Sequence, residues 1–268
     1  MKPSAREVEL LAISDVHLGT PACRAAELTA YLKTVRPRHL VMIGDIVDLW
    51  HLGRRGWSDA QTRLVRRILK LAARGVRVTW ITGNHDAALR RHGPAAFGSL
   101  ELRNQLELDL GGVRTWFVHG DAADALIGTP AWLAALGSFS YDALEWCSGA
   151  LNRARRRFGL PALSLNGLVK RRLASAQAHI DRFERTMARL AAARGCAAVV
   201  CGHIHIPCDR RIRVGAQDIR YLNTGDWVES LSALEYAEGA WRSVQWDDLL
   251  AAGELIAPTG RCPTGAAA

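Results

Sequence analysis

The chain has 268 residues, 49% of them hydrophobic and 23% charged, with a formal net charge of +9; these are ordinary globular proportions that allow one sizeable core and exclude a disordered or fibrous chain. Six cysteines (23, 147, 196, 201, 208 and 262) form no Cys-x-x-Cys pair, which argues against a zinc knuckle or a disulfide framework and points to a reducing, cytoplasmic setting. Glu7 and Glu9 interrupt the start before any apolar stretch, against a signal peptide, and the longest uncharged run, Ala125 to Tyr141, is broken by Gly128, Pro130 and Gly137 and falls short of the roughly 20 apolar residues of a spanning helix.

Met1 to Arg6 and the Gly/Pro/Ala-rich tail 257–268 lack apolar periodicity and are expected to fray. Between them, short apolar runs end repeatedly in polar residues: "VELLAISDVH", "HLVMIGDIVD", "VRVTWITGNHD", "VRTWFVHGD", "AAVVCGHIH" and "IRYLNTGDW". Each reads as a buried strand whose carboxyl end carries chemistry. Helical periods lie between several of them, as in Gln61 to Arg74, where Leu64, Val65, Ile68, Leu69 and Ala72 share a face. Alternation of strand and helix predicts an α/β fold with parallel pairing, whose ligands bind beyond the carboxyl ends of the strands. From Asp121 to Gly195 the alternation gives way to helix. Val169, Leu173, Ala176, Ile180, Phe183, Met187 and Leu190 form one stripe there, with Gly195 as its stop. Residues 122–195 hold eleven Lys or Arg against five Asp or Glu, a net +6 that invites an anionic partner. After Tyr221 strands resume, with "EYAEGAW" predicted as a hairpin around Glu238 and Gly239.

The polar strand endings form one set: Asp15 and His17; Asp45; Asn84, His85 and Asp86; His119 and Asp121; His203 and His205. Oxygen and imidazole donors without thiolate suit manganese, iron, zinc or cobalt. Strand alternation would send Asp15 with His17, and His203 with His205, to one side. Adjacent divalent ions repel unless an anion lies between them, and Asp45, ending "HLVMIGD", is the natural bridge. Asp48, Asp121, Asn223 and Asp226 lie near strand ends too, as candidate partners of the metal-bound histidines.

In order, Asp-x-His, Gly-Asp-x-x-Asp, Gly-Asn-His-Asp, His-Gly-Asp and Gly-His-x-His resemble the signature of the calcineurin-like metallophosphoesterases. The resemblance implies an α/β/β/α sandwich of two mixed sheets over residues 7–250 and two divalent ions, manganese first among the candidates. One ion would be held by Asp15, His17, Asp45 and His205, the other by Asp45, Asn84, His119 and His203. It further implies that His85 faces the substrate and that Asp86 orients His85.

"GDIVDLW", "VHGDAADA" and "YLNTGDWVESLSALEY", with the basic insertion 122–195, resemble the UDP-2,3-diacylglucosamine diphosphatase branch of that family. That resemblance implies a helical cap at 122–195, a nucleotide-linked glycolipid as substrate, a role in lipid A synthesis and a cytoplasmic protein held peripherally at the anionic inner-membrane surface. Trp50, Lys170 and Arg171 match the positions where the branch places substrate contacts. One departure is His85, where better-characterised members of the branch carry Arg. Another metal-dependent phosphodiesterase or nuclease, and a non-catalytic binding protein of the same fold, are the alternatives. No aromatic-interleaved basic groove or nucleic-acid motif is present, so no nucleic-acid partner is expected.

Overall fold

A computed structural model describes residues 5–52, 57–127 and 166–255. The chain forms two compact units, one of Met1–Asp121 with Met187–Ala268 and the other of Ala122–Thr186. In the first unit, β1 (Arg6–Ile13), β2 (Val35–Ile43), β3 (Arg77–Ile81), β4 (Ala95–Phe97), β5 (Leu100–Arg103), β11 (Ser232–Ala237) and β12 (Ala240–Gln245) form a seven-stranded sheet in the order β12, β11, β1, β2, β3, β5, β4. β6 (Leu106–Leu110), β7 (Val113–Phe117), β8 (Ala198–Cys201), β9 (Cys208–Val214) and β10 (Gln217–Asn223) form a second sheet in the order β6, β7, β8, β10, β9. Both sheets are mixed: β1, β2, β3 and β5 run parallel in one and β7, β8 and β10 in the other, with antiparallel strands at the edges.

The central strands read as unbroken apolar runs because both faces are covered. Leu10, Ala12, Val41, Ile43 and Ile81 meet Phe117, Val200 and Leu222 between the sheets. Leu11, Ile13, Leu40 and Met42, one residue out of phase, pack instead with Leu28 and Leu32 of α1 (Ala25–Thr34), Leu64, Ile68 and Leu71 of α2 (Asp59–Ala73), and Trp246 and Leu249 of α5 (Trp246–Ala251). Ser58 caps α2 by accepting from the Gln61 N–H at 3.3 Å. The α2 face departs from the expected one at Leu69 and Leu71. Leu69 is 53% exposed and Leu71 is buried, because the buried stripe runs Gln61, Leu64, Ile68, Leu71 and drifts away from 69.

Arg6, expected to fray, begins β1 in register with Val35, and its guanidinium meets the buried Glu235 at 2.8 Å and Glu254 at 2.6 Å. A buried carboxylate needs a partner, and Arg6 supplies it. Residues 1–4 and 256–268 lie outside the described part. The hairpin forms as expected, Ala237 pairing with Ala240 across Glu238 and Gly239, both at positive φ as a two-residue type I′ turn requires.

The short helix α3 (Asp121–Ile127) is followed, beyond residues 128–165, by α4 (Asn166–Ala193), where Phe183 and Met187 of the expected stripe are buried. The side chains of Val169, Lys170, Arg171 and Leu173, and most of the uncharged run, lie outside the described residues. Gly195 ends α4 at φ +69, with Cys196 N–H donating to Ala191 O and Gly195 N–H to Ala192 O, the 6→1 and 5→2 bonds of a left-handed cap. Among the described residues no helix is long and apolar enough to cross a membrane.

Candidate metal centre

The site grows from the loops that follow β1, β2, β3, β7 and β8. The loops after β1 and β2 stay zipped past the sheet: Asp15 N–H donates to Gly44 O, His17 N–H to Asp45 O and Asp48 N–H to Leu18 O, at 2.8–3.1 Å. The pairing of Asp15 with His17 and of His203 with His205 does not come from the strand pleat, as expected, because β1 ends at Ile13 and β8 at Cys201. Instead Asp15, His17, Asp45, His203 and His205 adopt left-handed backbone, with φ of 50, 51, 52, 72 and 58°. A non-glycine residue there costs roughly 1 kcal/mol or more, and such strain gathers at functional sites. Asp15, His17 and His205 thereby bring one donor atom each within 4.8 Å of the others. Gly44 and Gly83 allow this closeness, since a Cβ on Gly44 would collide with the His119 ring and one on Gly83 with Asp45.

Two clusters result, joined by Asp15, which also comes within 4.8 Å of Asp45 and His119, while His17, Asp48 and His85 form a further group of donors. In one, Asp15 Oδ1 faces His205 Nε2 at 3.1 Å, with His17 beside them. In the other, His119 Nε2 lies 3.3 Å from Asp45 Oδ2 and 3.1 Å from Asn84 Oδ1, and the His203 ring meets the His119 ring edge-on at 5.1 Å. Asp15, Asp45 and His119 are all buried. Asp15 Oδ1 and His17 Nε2 are buried without an aligned hydrogen-bond partner, although a desolvated polar atom needs one. A shared cation would satisfy both atoms, so the donor set fits a metal.

Charge is strongly coupled across the site. Burial pushes the Asp15 carboxyl up, but His205 and His119 outweigh it and hold it at about 2. Asp45 is likewise held low, against burial, by His119, His17 and His85. Burial pushes His119 down, yet Asp45 and Asp15 prevail and lift it to about 10. His205 rises to about 11, burial again being outweighed, here by Asp15 and Asp226.

His85 stands at the mouth of the site. Its N–H donates to Asp45 Oδ1 at 2.8 Å, and the Trp50 ring, 58% exposed, lies 4.0 Å from its ring. The acid beside it is not the expected one. Asp86 is buried beneath the loop, accepting from Ile46 N–H and Trp80 Nε1–H at 3.0 Å and from Gly83 N–H at 2.5 Å, so it clamps loops and leaves His85 to another carboxylate. That carboxylate is Asp48, whose Oδ2 lies 3.0 Å from His85 Nδ1 and 3.7 Å from His17 Nδ1. Burial raises Asp48, but His17, His51 and His85 bring it well below the usual carboxylate range.

A model of the calcineurin-like phosphoesterase family matches residues 8–207. The chain belongs to that family. This phosphoesterase is similar to the UDP-2,3-diacylglucosamine hydrolase of Aeromonas salmonicida (strain A449), at 27% identity over 88% of this chain and 92% of that one. It is also similar to the protein of the same name from Hahella chejuensis (strain KCTC 2396), at 26% identity over 82% and 89%. Among solved structures, Yfce, a phosphoesterase from E. coli, is similar at 17% identity and a TM-score of 0.43, over 89% of this chain and 93% of that one. Membership makes the protein a hydrolase and implies divalent metals.

Of the residues expected to assist the phosphoesterase site, Asp226 reaches a histidine, with Oδ2 3.0 Å from His205 Nδ1. Asn223 instead donates to Gly202 O at 2.8 Å, and Asp121 pairs with Arg90 at 2.7 Å. His51 escaped the sequence reading, although its Nδ1 lies 3.0 and 2.9 Å from the two Asp48 oxygens. A histidine three residues after an acid in a turn was its only signal. Ser14, donating to Gly225 O at 2.9 Å and also bonded to Asp15 Oδ2, carried no signal at all.

Proposed function

We propose that this phosphoesterase is a two-metal hydrolase that cleaves the pyrophosphate of UDP-2,3-diacylglucosamine with water, giving UMP and 2,3-diacylglucosamine 1-phosphate. The observation that carries the reading is the meeting of buried carboxylates and imidazoles at the ends of strands from both sheets, in a chain aligned over most of its length with relatives of that name. Asp15, His17, Asp45 and His205 would hold one ion, and Asp45, Asn84, His119 and His203 the other, manganese being the first candidate. When bound, the two cations supply positive charge to the phosphoryl oxygens and acidify water.

The remaining work falls to the chain. Asp45 accepts from the His85 N–H and so ties that residue's backbone to the centre. His85, held against Asp48, stabilises charge on the reacting phosphoryl group and donates a proton to the departing oxygen. Trp50 offers an exposed aromatic face beside His85 to the substrate. Lys170 and Arg171 in the basic insertion would contact the substrate, and the insertion would cap its acyl chains. With its +6 charge it also suits a protein held at an anionic membrane surface.

His85 favours a second reading, a phosphodiesterase acting on a different ester. Manganese-loaded protein given UDP-2,3-diacylglucosamine in mixed micelles, and in parallel a small chromogenic diester, separates the two. The first reading expects UMP release that far outpaces the diester; diester cleavage with no UMP would favour the second.

A further inference from the structure

Asp226 is wholly buried, and its two oxygens do different things. Oδ1 accepts from the backbone N–H groups of Val228, Glu229 and Ser230 at 3.0, 2.7 and 2.9 Å, fixing the carboxylate in its own turn. The turn is anchored further, since Asp226 N–H donates to Ser230 Oγ at 2.9 Å and Trp227 N–H to Asp15 O at 3.1 Å. Oδ2 lies 3.0 Å from His205 Nδ1 and, like Asp15 Oδ1, is buried without an aligned hydrogen-bond partner. With a cation on Nε2, a carboxylate there would keep the ring proton on Nδ1 and raise the basicity of His205 as a ligand.

His119, in the second cluster, is backed differently. His119 Nδ1 faces the backbone carbonyl of Ile43 at 3.1 Å, a neutral acceptor. We infer that Asp226 is a positioning residue for His205 that makes the Asp15, His17 and His205 centre the tighter of two unequal metal sites, so that it fills first. This rests on the two-metal reading above. The carboxylate behind His205 adds a full negative charge where the Ile43 carbonyl adds only a dipole, and loss of such a partner typically weakens metal affinity about 10- to 100-fold.

Isothermal titration of the metal-free protein with Mn²⁺ tests it. Wild type is expected to bind two ions in two resolved steps. Asp226→Asn keeps an oxygen for the three backbone donors but presents an amide to His205. It should weaken the tighter step about 10- to 100-fold and leave the weaker step in place. A variant with both steps unchanged, or both weakened equally, overturns the inference while the two-metal reading stands. Wild type that binds no metal overturns that reading instead. Should Asp226→Asn fail to fold, one equivalent of Zn²⁺ added to wild type decides the matter by NMR: the ring signals of His17 and His205 must shift before those of His119, and the reverse order refutes the assignment.

Discussion

Metal binding should strengthen steeply with pH, because the ions must displace protons that the site holds tightly. His119 is lifted to about 10 and His205 to about 11, so in the metal-free protein each imidazole carries a proton at neutral pH. A cation that takes His119 Nε2 or His205 Nε2 removes one proton from its centre. Binding that releases one proton gains about tenfold in apparent affinity per pH unit, or about 1.4 kcal/mol, as long as the pH stays below the imidazole value. Between pH 6.5 and 8.5 each centre should therefore tighten about 100-fold. Titration calorimetry with Mn²⁺ in two buffers of different ionisation enthalpy counts the protons directly, and about one per ion is expected. Stability of the metal-free form moves the opposite way. An unfolded imidazole titrates near 6.5, so above that pH the folded state binds more protons than the unfolded one. The stabilisation is thus complete below about 6.5 and is lost as pH rises toward the folded values, which lowers the melting temperature of the metal-free protein with rising pH. Affinity that stays flat from pH 6.5 to 8.5, with no proton released, would refute the pairing of these histidines with Asp15 and Asp45.

Replacing His85 with Gln should lower kcat on a small diester about 100-fold or more while two ions stay bound by elemental analysis; loss of an ion would reassign His85 as a ligand. Gly83→Ala places a methyl against Asp45 and the His119 ring, so it should destabilise the protein by about 1–3 kcal/mol in urea unfolding and reduce metal content; a fully loaded, equally stable variant would show the cradle to be slack. Away from the site, burial holds His39 at about 4, with Arg77 adding to the effect, while its Nε2 meets Thr79 Oγ1 at 2.8 Å. Between pH 4 and 6.5 the unfolded chain binds the extra proton, so stability should rise by about 3 kcal/mol across that window, and His39→Gln should flatten the rise in urea midpoints measured at pH 4.5 and 7.

The sheets were legible because Leu10 to Ile13 and Leu40 to Ile43 are covered on both faces and so read as continuous apolar runs. The donors were legible because Asp, His and Asn recur at the ends of those runs. What failed was local geometry. Leu69 and Leu71 both satisfy a helical period, and only packing against the sheet chooses between them. Asp86 adjoins His85 in sequence, yet its side chain turns under the loop to Ile46 and Trp80, and the acid that reaches His85 comes from the loop after β2. No propensity would put five donors in left-handed backbone. Among the described residues seven non-glycine positions have positive φ, and five of them are Asp15, His17, Asp45, His203 and His205. Their strain must be offset by contacts distant in sequence, such as the zipped loops after β1 and β2. The sequence rule therefore broke where the fold spends stability to converge charged groups, and that coincidence is itself an argument that the convergence serves function.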